Sequence, residues 1–361
     1  MTKAAPTNLI HGLTLDELAQ VCREASQEAY RAKQIWRWLY VQQVTGWDEM
    51  RNLPHALRER LAAAYSFEPV TATAVEGESN GTRKILGALT DGESIEEVLI
   101  PTGDHVTVCV SSQVGCRFAC VFCASGTGGF VRHLGAGEIV GQVLLAYRQL
   151  GERPANVVYM GMGEPFDNYE EVLKSIRILN QADGLGIGAR HITISTNGVI
   201  PGIRRLAGEG LQVELSVSLH APDDNLRSLL MPVNRTYPLA DLMGVCAEYA
   251  AATGRIITFE YTLIRDVNDL RQHAEALAGL IRGVPCRVNL IPLSPVDGFR
   301  GEPPAPGTAS VFIDTLARAG LNATLRVSKG SDIQAACGQL RLRRALASRP
   351  AIWHNADSLS E

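Results

Sequence analysis

The sequence predicts an α/β fold in which a mostly parallel sheet bends into a barrel or partial barrel behind a small helical domain. From about residue 83, short runs rich in β-branched residues alternate with stretches of helical periodicity. Such alternation is typical of parallel strands joined by right-handed helical crossovers. Six or seven such units over about 240 residues can form a barrel, and a flat doubly wound sheet is the alternative.

The composition narrows the class of protein. The chain has 361 residues, 46% of them hydrophobic, which is enough for one large domain and a small one. Its 34 basic and 38 acidic residues nearly balance, so bulk charge does not indicate a nucleic-acid partner, although a local patch can still bind one. We find no apolar run of about 18 residues and no signal peptide. We therefore expect a cytoplasmic protein whose eight cysteines serve metal binding or catalysis and not structural disulfides.

Residues 13–65 have the periodicity of helices. In the first segment, apolar residues recur at i, i+3, i+4 and i+7, and Pro54 is placed to open the third helix. The segment is modestly basic. We assign residues 1–82 to an accessory domain of helix-hairpin-helix type with its linker, residues 83–345 to the core, and residues 346–361 to a tail.

Seven runs in the core are predicted strands: 106–111, 157–160, 191–195, 213–219, 256–263, 287–291 and 323–327. Helices are predicted between them at 137–150, 169–181 and 270–282. The carboxyl ends of parallel strands share one edge of a sheet, where ligands collect. We therefore expect the groups that follow the strands, at 161–165, 195–198, 218–220 and 292–295, to converge there.

Three cysteines occupy one eight-residue window with the spacing C-x3-C-x2-C: Cys116, Cys120 and Cys123. Four-iron clusters usually take four cysteines, and structural zinc takes four ligands. Three thiolates around a four-iron cluster would leave one iron open to bind another molecule. The alternative is a zinc site with a distant fourth ligand such as His133, which the extra upstream cysteine and the lack of a second C-x2-C pair disfavour.

A second motif, Gly161-Met162-Gly163-Glu164-Pro165, follows a predicted strand. Glycine allows backbone groups to approach a ligand closely, and Glu164 can accept hydrogen bonds from an ammonium group. An ordinary strand-to-loop turn with a surface glutamate is the alternative.

The cysteine window, with Phe122 before its last cysteine, resembles the signature of the radical S-adenosylmethionine (SAM) superfamily. Residues from about 28 to 345 are similar to the dual-specificity adenine-C2 RNA methyltransferases, bacterial enzymes that make 2-methyladenosine in 23S rRNA and certain tRNAs. The segments that carry this resemblance are YRAKQIW (30–36), CVSSQVGC (109–116), GMGEP (161–165), SLHAP (218–222) and AACGQL (335–340). The last is shared only with close C8-methylating relatives.

The resemblance implies a partial (β/α) barrel of the radical SAM type and a [4Fe–4S] cluster on Cys116, Cys120 and Cys123. It implies SAM bound to the open iron and cleaved to a 5′-deoxyadenosyl radical. It also implies a set of SAM contacts: Gly163, Glu164, Ser195, Ser218, Leu219, His220 and Ser294. At position 294 the family usually has asparagine, so serine offers a shorter hydroxyl in place of an amide.

The resemblance also implies the catalytic residues. Cys337 matches the cysteine that one SAM methylates, and the radical from a second SAM takes hydrogen from that S-methyl group. Cys109 matches the cysteine that resolves the resulting protein–RNA adduct through a transient disulfide with Cys337. Glu96 matches the acceptor of the C2 proton, with Glu93 and Glu97 as neighbouring candidates. A strand would turn Glu97 to the opposite face from Glu96.

The implied partners are 23S rRNA, tRNA and an external one-electron reductant such as flavodoxin, with no membrane and a monomeric chain. A basic run after Cys337 and the basic helical domain favour contact with phosphates; the run contains Arg341, Arg343, Arg344 and Arg349. Two alternatives stay open. One is a C8-adenine 23S rRNA methyltransferase that confers antibiotic resistance, and the other is a non-catalytic zinc-binding RNA module.

Overall fold

The computed structural model describes residues 9–67, 69–326, 329–330 and 333–340. The basic run at 341–349 and the tail at 346–361 therefore lie outside the described residues. The chain begins with three helices, Leu15–Glu24 (α1), Tyr30–Tyr40 (α2) and His55–Ala64 (α3), which confirms the predicted helical region. A capping box starts α1, because Thr14 Oγ1 accepts from the Glu17 N–H at 3.2 Å and the Glu17 carboxylate accepts from the Thr14 N–H at 2.7 Å.

The N-terminal helices share one apolar core with the helices that cover the sheet. Trp36 and Tyr40 on α2 are each 1% exposed and belong to that core. The Tyr40 hydroxyl donates to the His11 carbonyl oxygen at 2.9 Å, and Lys174 pairs with Glu17 at 2.8 Å. These contacts hold the helical region against the rest of the protein.

Most strands belong to a single ten-stranded sheet in the order β1-β2-β3-β4-β7-β8-β9-β10-β11-β12. The strands are Thr71–Glu76 (β1), Arg83–Ala88 (β2), Ser94–Thr102 (β3), His105–Cys109 (β4), Gln113–Gly115 (β5), Phe130–His133 (β6), Asn156–Tyr159 (β7), Ile192–Thr196 (β8), Glu214–Ser218 (β9), Ile257–Leu263 (β10), Cys286–Pro292 (β11) and Ala323–Leu325 (β12). The later helices are Ala136–Leu150 (α4), Tyr169–Asn180 (α5), Ile200–Ala207 (α6), Asp224–Leu230 (α7), Leu239–Thr253 (α8), Arg271–Leu280 (α9) and Thr308–Arg318 (α10).

From β4 to β12 every neighbouring pair of strands in this sheet is parallel. These are the seven predicted strands, with bounds that differ by one or two residues. Within the described ranges β1 and β12 are the two edges of the sheet. The curved sheet is therefore open, as expected for a partial barrel.

The antiparallel start of the sheet was not predicted. Strand-rich sequence was expected from about residue 83, but β1 lies before that point and pairs with β2 from Thr71↔Ala88 to Glu76↔Lys84. Most side chains of β1 are exposed, so it lacks the apolar alternation that signals a strand. The small β5–β6 sheet, which carries the cysteine loop, was also missed.

Strand β10 lies between β9 and β11 in the sheet, and every one of its residues is buried. Both faces of a parallel strand in an α/β fold are normally covered. Glu260 is nevertheless in the middle of this strand, so its carboxylate reaches the interior of the barrel. Across the described part of the chain, no helix is long and apolar enough to cross a membrane.

Candidate active site

The carboxyl ends of the parallel strands surround a cavity of ≈ 160 Å³, here called the upper cavity. It collects side chains from the cysteine loop and from the loops after β7, β8, β9 and β11. The predicted residues that line it are Cys116, Cys120, Cys123, Gly163, Glu164, Ser195, Ser218, His220 and Ser294. One cavity therefore contains the cysteine window and most of the predicted cofactor contacts.

The cysteine loop runs between β5 and β6 and is fixed by backbone hydrogen bonds. The Cys116 N–H donates to Gly129 O at 3.1 Å, and the Cys123 N–H donates to Cys120 O at 3.1 Å. Burial raises the pKa of all three thiols, to about 12 for Cys116. The Cys123 thiol raises the pKa of the other two further, and the Cys116 thiol raises that of Cys120. They are therefore protonated until a coordinated cation compensates for their charge.

The alternative of a single zinc ion is not supported by the described residues. Among the described residues, no three His, Cys, Asp or Glu side chains are close enough together to hold one metal ion. The possible fourth zinc ligand, His133, has Nδ1 3.0 Å from Gln113 Nε2, and its ring packs edge-on against Phe130. It is not among the residues that line the upper cavity.

The Gly163-Glu164 turn presents a carboxylate to the upper cavity. Glu164 is 3% exposed and accepts from the Phe166 N–H at 3.0 Å and the Asn197 N–H at 2.8 Å. Burial raises its pKa to about 7, although these hydrogen bonds act in the opposite direction. Gly163 has a φ of +104°, and a Cβ there would lie 2.6 Å from the Gln113 Cβ, so the turn requires glycine.

His220 is held in one tautomer. Its Nδ1 accepts the Thr262 N–H at 2.9 Å, which leaves Nε2 as the protonated nitrogen. Burial, and secondarily the charge of Arg227, lower its pKa to about 3, so the ring is neutral at physiological pH. It packs edge-on against Phe122 with ring centroids 4.8 Å apart, so the histidine joins the cysteine loop to the end of β9.

Arg227, which sequence reasoning missed, ties two strand ends together. Its guanidinium donates to Asn197 O at 2.7 Å, Ser218 O at 3.0 Å and Leu219 O at 3.2 Å. It is fully buried, and its charge opposes the rise in the pKa of Cys120. The predicted contact Leu219 does not line the cavity, because its side chain is 0% exposed in the main core; only its backbone faces this network.

A second cavity of ≈ 350 Å³, the lower cavity, lies inside the barrel toward the middle of the strands. The two cavities share five lining residues: Met160, Glu260, Ile291, Arg326 and Cys337. Cys337 is exposed and lies on the segment that follows β12. Its thiol therefore borders both cavities. Glu260 and Arg326 carry no sequence motif and were not predicted.

Cys109, the last residue of β4, lines the lower cavity together with Cys337. Both cysteines are free thiols. Burial raises the pKa of Cys109 to about 12, the Cys337 thiol raises it further, and the Arg326 guanidinium lowers it. Arg326 also donates to Met160 Sδ at 3.5 Å. The structure thus brings these two distant cysteines and one guanidinium to a single cavity.

Glu96 and Glu97 lie on opposite faces of β3, as the alternation of a strand requires. Glu96 shares the face of Val98, which pairs with Cys109, and its Oε1 is 3.5 Å from Lys84 Nζ. It is not among the residues that line either cavity. Glu97 faces the outer core, where both of its oxygens lack hydrogen-bond partners within the described residues and burial raises its pKa well above the ordinary value.

Comparison with known proteins decides the family. A family model described as "Radical SAM superfamily" matches residues 110–278, and one described as "Ribosomal RNA large subunit methyltransferase N-terminal domain" matches residues 7–66. A protein of Geobacillus thermodenitrificans named "Probable dual-specificity RNA methyltransferase RlmN" is 47% identical over 94% of this chain and 94% of its own. The chain belongs to the RlmN family.

Other relatives agree with this assignment. An RlmN protein of Moorella thermoacetica, also named a probable dual-specificity RNA methyltransferase, is 48% identical over 92% of this chain and 96% of its own. The crystal structure of a radical SAM methyltransferase from Sphaerobacter thermophilus superposes with a TM-score of 0.89 at 46% identity, and covers 92% of this chain and 99% of its own. The radical SAM fold expected from the sequence is thereby confirmed.

Members of this superfamily use a [4Fe–4S] cluster and SAM, and the upper cavity of this RlmN-family chain fits both. Three half-buried cysteines line it with no fourth cysteine in the window, which leaves a coordination position for a second ligand. The buried carboxylate of Glu164 and the neutral ring of His220 are among the polar groups that line it.

Proposed function

We propose that this protein methylates C2 of adenosine in 23S rRNA and tRNA through an S-methylcysteine at Cys337. The observation that supports this most directly is that the Cys337 thiol borders both cavities, with Cys109 in the lower one. The cluster and SAM, when bound, supply a methyl group and a radical that takes hydrogen from the S-methyl group.

The residues of the upper cavity would hold these groups. Cys116, Cys120 and Cys123 are the proposed cluster ligands. The Glu164 carboxylate can accept a hydrogen bond from the SAM ammonium, and the His220 Nε2–H can donate one to the cofactor. The remaining proposed contacts are Gly163, Ser195, Ser218, Ser294 and the backbone of Leu219.

Cys337 would act first as a nucleophile, and only its thiolate can accept a methyl group by displacement. Arg326 supports this step, because its guanidinium is the neighbouring cation and its own pKa is raised chiefly by the Cys337 thiol. An aromatic C2 position has no lone pair to attack SAM itself, so a carrier on the protein is needed.

Cys109 would release the product. Its thiolate attacks Cys337 Sγ, an S–S bond forms, and the bond from that sulfur to the methylene carbon breaks with its electron pair on that carbon, which takes up a proton from solvent to become the methyl group. Before that step, the adduct formed by addition of the methylene radical to C2 would lose one electron, which the cluster when bound can accept, and its C2 proton to a base, for which we propose Glu96, on the same face of β3 as the partner of Cys109. External thiols would then reduce the disulfide.

RNA is the proposed partner on the strength of the family, and 23S rRNA with tRNA are the proposed substrates. We also propose an external one-electron donor such as flavodoxin, a monomeric chain, and a division into an RNA-binding accessory domain (1–82), a core (83–345) and a tail (346–361). The matched N-terminal methyltransferase domain at 7–66 supports the first of these three parts.

Mass spectrometry of nucleosides tests the reaction. Anaerobically reconstituted protein should contain about four iron and four sulfide per chain and convert adenosine to 2-methyladenosine in both 23S rRNA and tRNA. C8-methyladenosine in rRNA alone would indicate the resistance-type alternative. Tight zinc binding with no release of 5′-deoxyadenosine would contradict both enzymatic functions.

A further inference from the structure

The lower cavity contains a buried carboxylate with one unsatisfied oxygen. Glu260 is 4% exposed, and its Oε1 accepts from Ser216 Oγ at 3.2 Å and from Asn289 Nδ2 at 3.2 Å. Its Oε2 has no hydrogen-bond partner within the ranges that the structure describes. Because an unpaired buried carboxylate oxygen is costly, this atom is placed to meet a donor that a ligand brings.

The residues around Glu260 indicate which ligand, SAM or RNA, the lower cavity receives. Ser216 and Asn289, which hold Oε1, line the lower cavity and are not among the residues that line the upper one. The lower cavity has ≈ 350 Å³ against ≈ 160 Å³ for the upper. The charged residues that line it are Glu260 and three cations: Arg287, Arg326 and Lys329. Cations suit the phosphates of a nucleotide, so the lower cavity is better matched to RNA than to the cofactor.

We propose that the lower cavity receives the target nucleotide and that Glu260 Oε2 accepts a hydrogen bond from the exocyclic amino group of its adenine. This inference rests on the proposed function, because it names the contact that selects the base for that reaction. The amino group is the donor on the edge that distinguishes adenine from a 6-oxopurine. Cys337 lines the same cavity, so a base held by Glu260 lies beside the methyl-carrying sulfur.

Because Oε1 of Glu260 already accepts two hydrogen bonds, the substitution Glu260→Gln is informative. Burial raises the pKa of Glu260, while the charge of Arg326 and the hydrogen bonds from Asn289 and Ser216 lower it. In Glu260→Gln the amide oxygen takes the Oε1 position, because the Asn289 amide donates there, and the NH2 group takes the position of Oε2. The substitution therefore replaces an acceptor with a donor at nearly constant volume.

The test measures binding of RNA stem-loops that carry adenosine or inosine at the target position, by fluorescence anisotropy with cluster-loaded protein. We expect the wild type to prefer adenosine by about tenfold or more, and Glu260→Gln to lose or reverse that preference with iron content and SAM affinity unchanged. The matched control is Glu97→Gln, a second buried glutamate with unpartnered oxygens that lies outside both cavities. It should keep the wild-type preference.

A measurement on the wild type does not depend on folding of the variant. RNA with purine riboside at the target lacks the amino group and should bind about tenfold more weakly than adenosine RNA. Equal binding of these two RNAs overturns the proposal. So does an unchanged adenosine preference in Glu260→Gln, or a loss of SAM affinity in that variant without a change in base preference.

These outcomes are separate from the fate of the proposed function. If the wild type prefers adenosine, Glu260→Gln abolishes that preference, and no methyladenosine forms in any RNA, the reaction is wrong and the base contact stands. If 2-methyladenosine forms and the preference of Glu260→Gln is unchanged, the base contact alone is wrong.

Discussion

The backbone N–H of Ala124 donates a hydrogen bond of 2.6 Å to the carbonyl oxygen of Gly338. Ala124 follows the last cysteine of the window, and Gly338 follows Cys337, so this bond joins two cysteine segments that are distant in sequence. A second bond, from Ser125 Oγ to Leu340 O at 2.9 Å, joins the same segments. The Cys337 segment is therefore held against the cysteine loop by hydrogen bonds that do not involve the Cys337 thiol.

Cys337→Ala should abolish methyl transfer and leave iron binding intact, because the main-chain bonds that hold the segment remain. Iron and sulfide content and transfer of labelled methyl groups to RNA measure the two properties. Cys286→Ser is the control, since Cys286 is half-buried and is not among the residues that line either cavity. Loss of iron from Cys337→Ala would instead make Cys337 a metal ligand.

Cys109→Ala should trap a covalent adduct between protein and RNA, because the thiol that frees Cys337 is gone. Denaturing gels would show a slow band that nuclease removes, and mass spectrometry would locate the adduct at Cys337. Cys246→Ala, which removes another buried thiol outside both cavities, should turn over without the band. Normal product release by Cys109→Ala would contradict the resolving role.

Gly163→Ala should weaken SAM binding. The new Cβ would lie 2.6 Å from Gln113 Cβ, and Gln113 Oε1 accepts the Glu164 N–H at 2.9 Å, so the clash displaces the carboxylate. The left-handed backbone adds about 1 to 2 kcal/mol of strain. Equilibrium binding of SAM to cluster-loaded protein measures the effect.

Gly254→Ala is the control for Gly163→Ala, because it introduces the same kind of backbone strain without a steric clash. Gly254 ends α8 with a φ of +67°, and a Cβ there meets nothing within 4 Å. It should therefore lower the free energy of unfolding by an amount similar to the strain energy in Gly163→Ala, and it should leave the affinity for SAM unchanged. Equal SAM affinity in both variants would mean that the Gly163 turn does not position a cofactor contact.

Acid should destabilise the fold through His220. Its pKa falls from 6.5 to about 3 on folding, so below about pH 6.5 the unfolded chain binds more protons than the folded one. The free energy of unfolding then decreases with falling pH, by up to about 1.4 kcal/mol per pH unit. In His220→Asn, Oδ1 can still accept the Thr262 N–H without titrating, so that part of the slope should disappear.

Urea unfolding between about pH 6.5 and pH 5 measures this slope. His105→Asn, at an exposed position of β4, should leave it as in the wild type. The same slope in His220→Asn as in the wild type would show that protonation of His220 does not govern acid stability.

The parallel part of the fold and the upper cavity could be predicted because their signals are local. Each strand is a short apolar run, and the predicted polar groups of the upper cavity lie at or shortly after the end of such a run, as Glu164 follows β7 and Ser294 follows β11. Topology then brings the strand ends together without any further information from the sequence. The same rule placed His220 at the cavity.

The residues that sequence reasoning missed depend on packing. Glu260 lies in mid-strand, and only the hollow of the barrel explains a carboxylate there. Arg227 is on a short helix, and one of its backbone acceptors, Asn197 O, belongs to the loop after β8, 30 residues earlier in the sequence. Strand β1 is largely exposed, so it forms because β2 pairs with it and not because of its own pattern.

One sulfur atom, that of Cys337, borders both cavities, and this makes the proposed cycle strictly serial. Cys337 accepts a methyl group at the upper cavity and transfers it at the lower cavity. Its sulfur must then be freed before it can accept another methyl group. A chain interrupted after loading keeps its methyl group. Supply of the donor and arrival of the RNA therefore do not have to coincide in time.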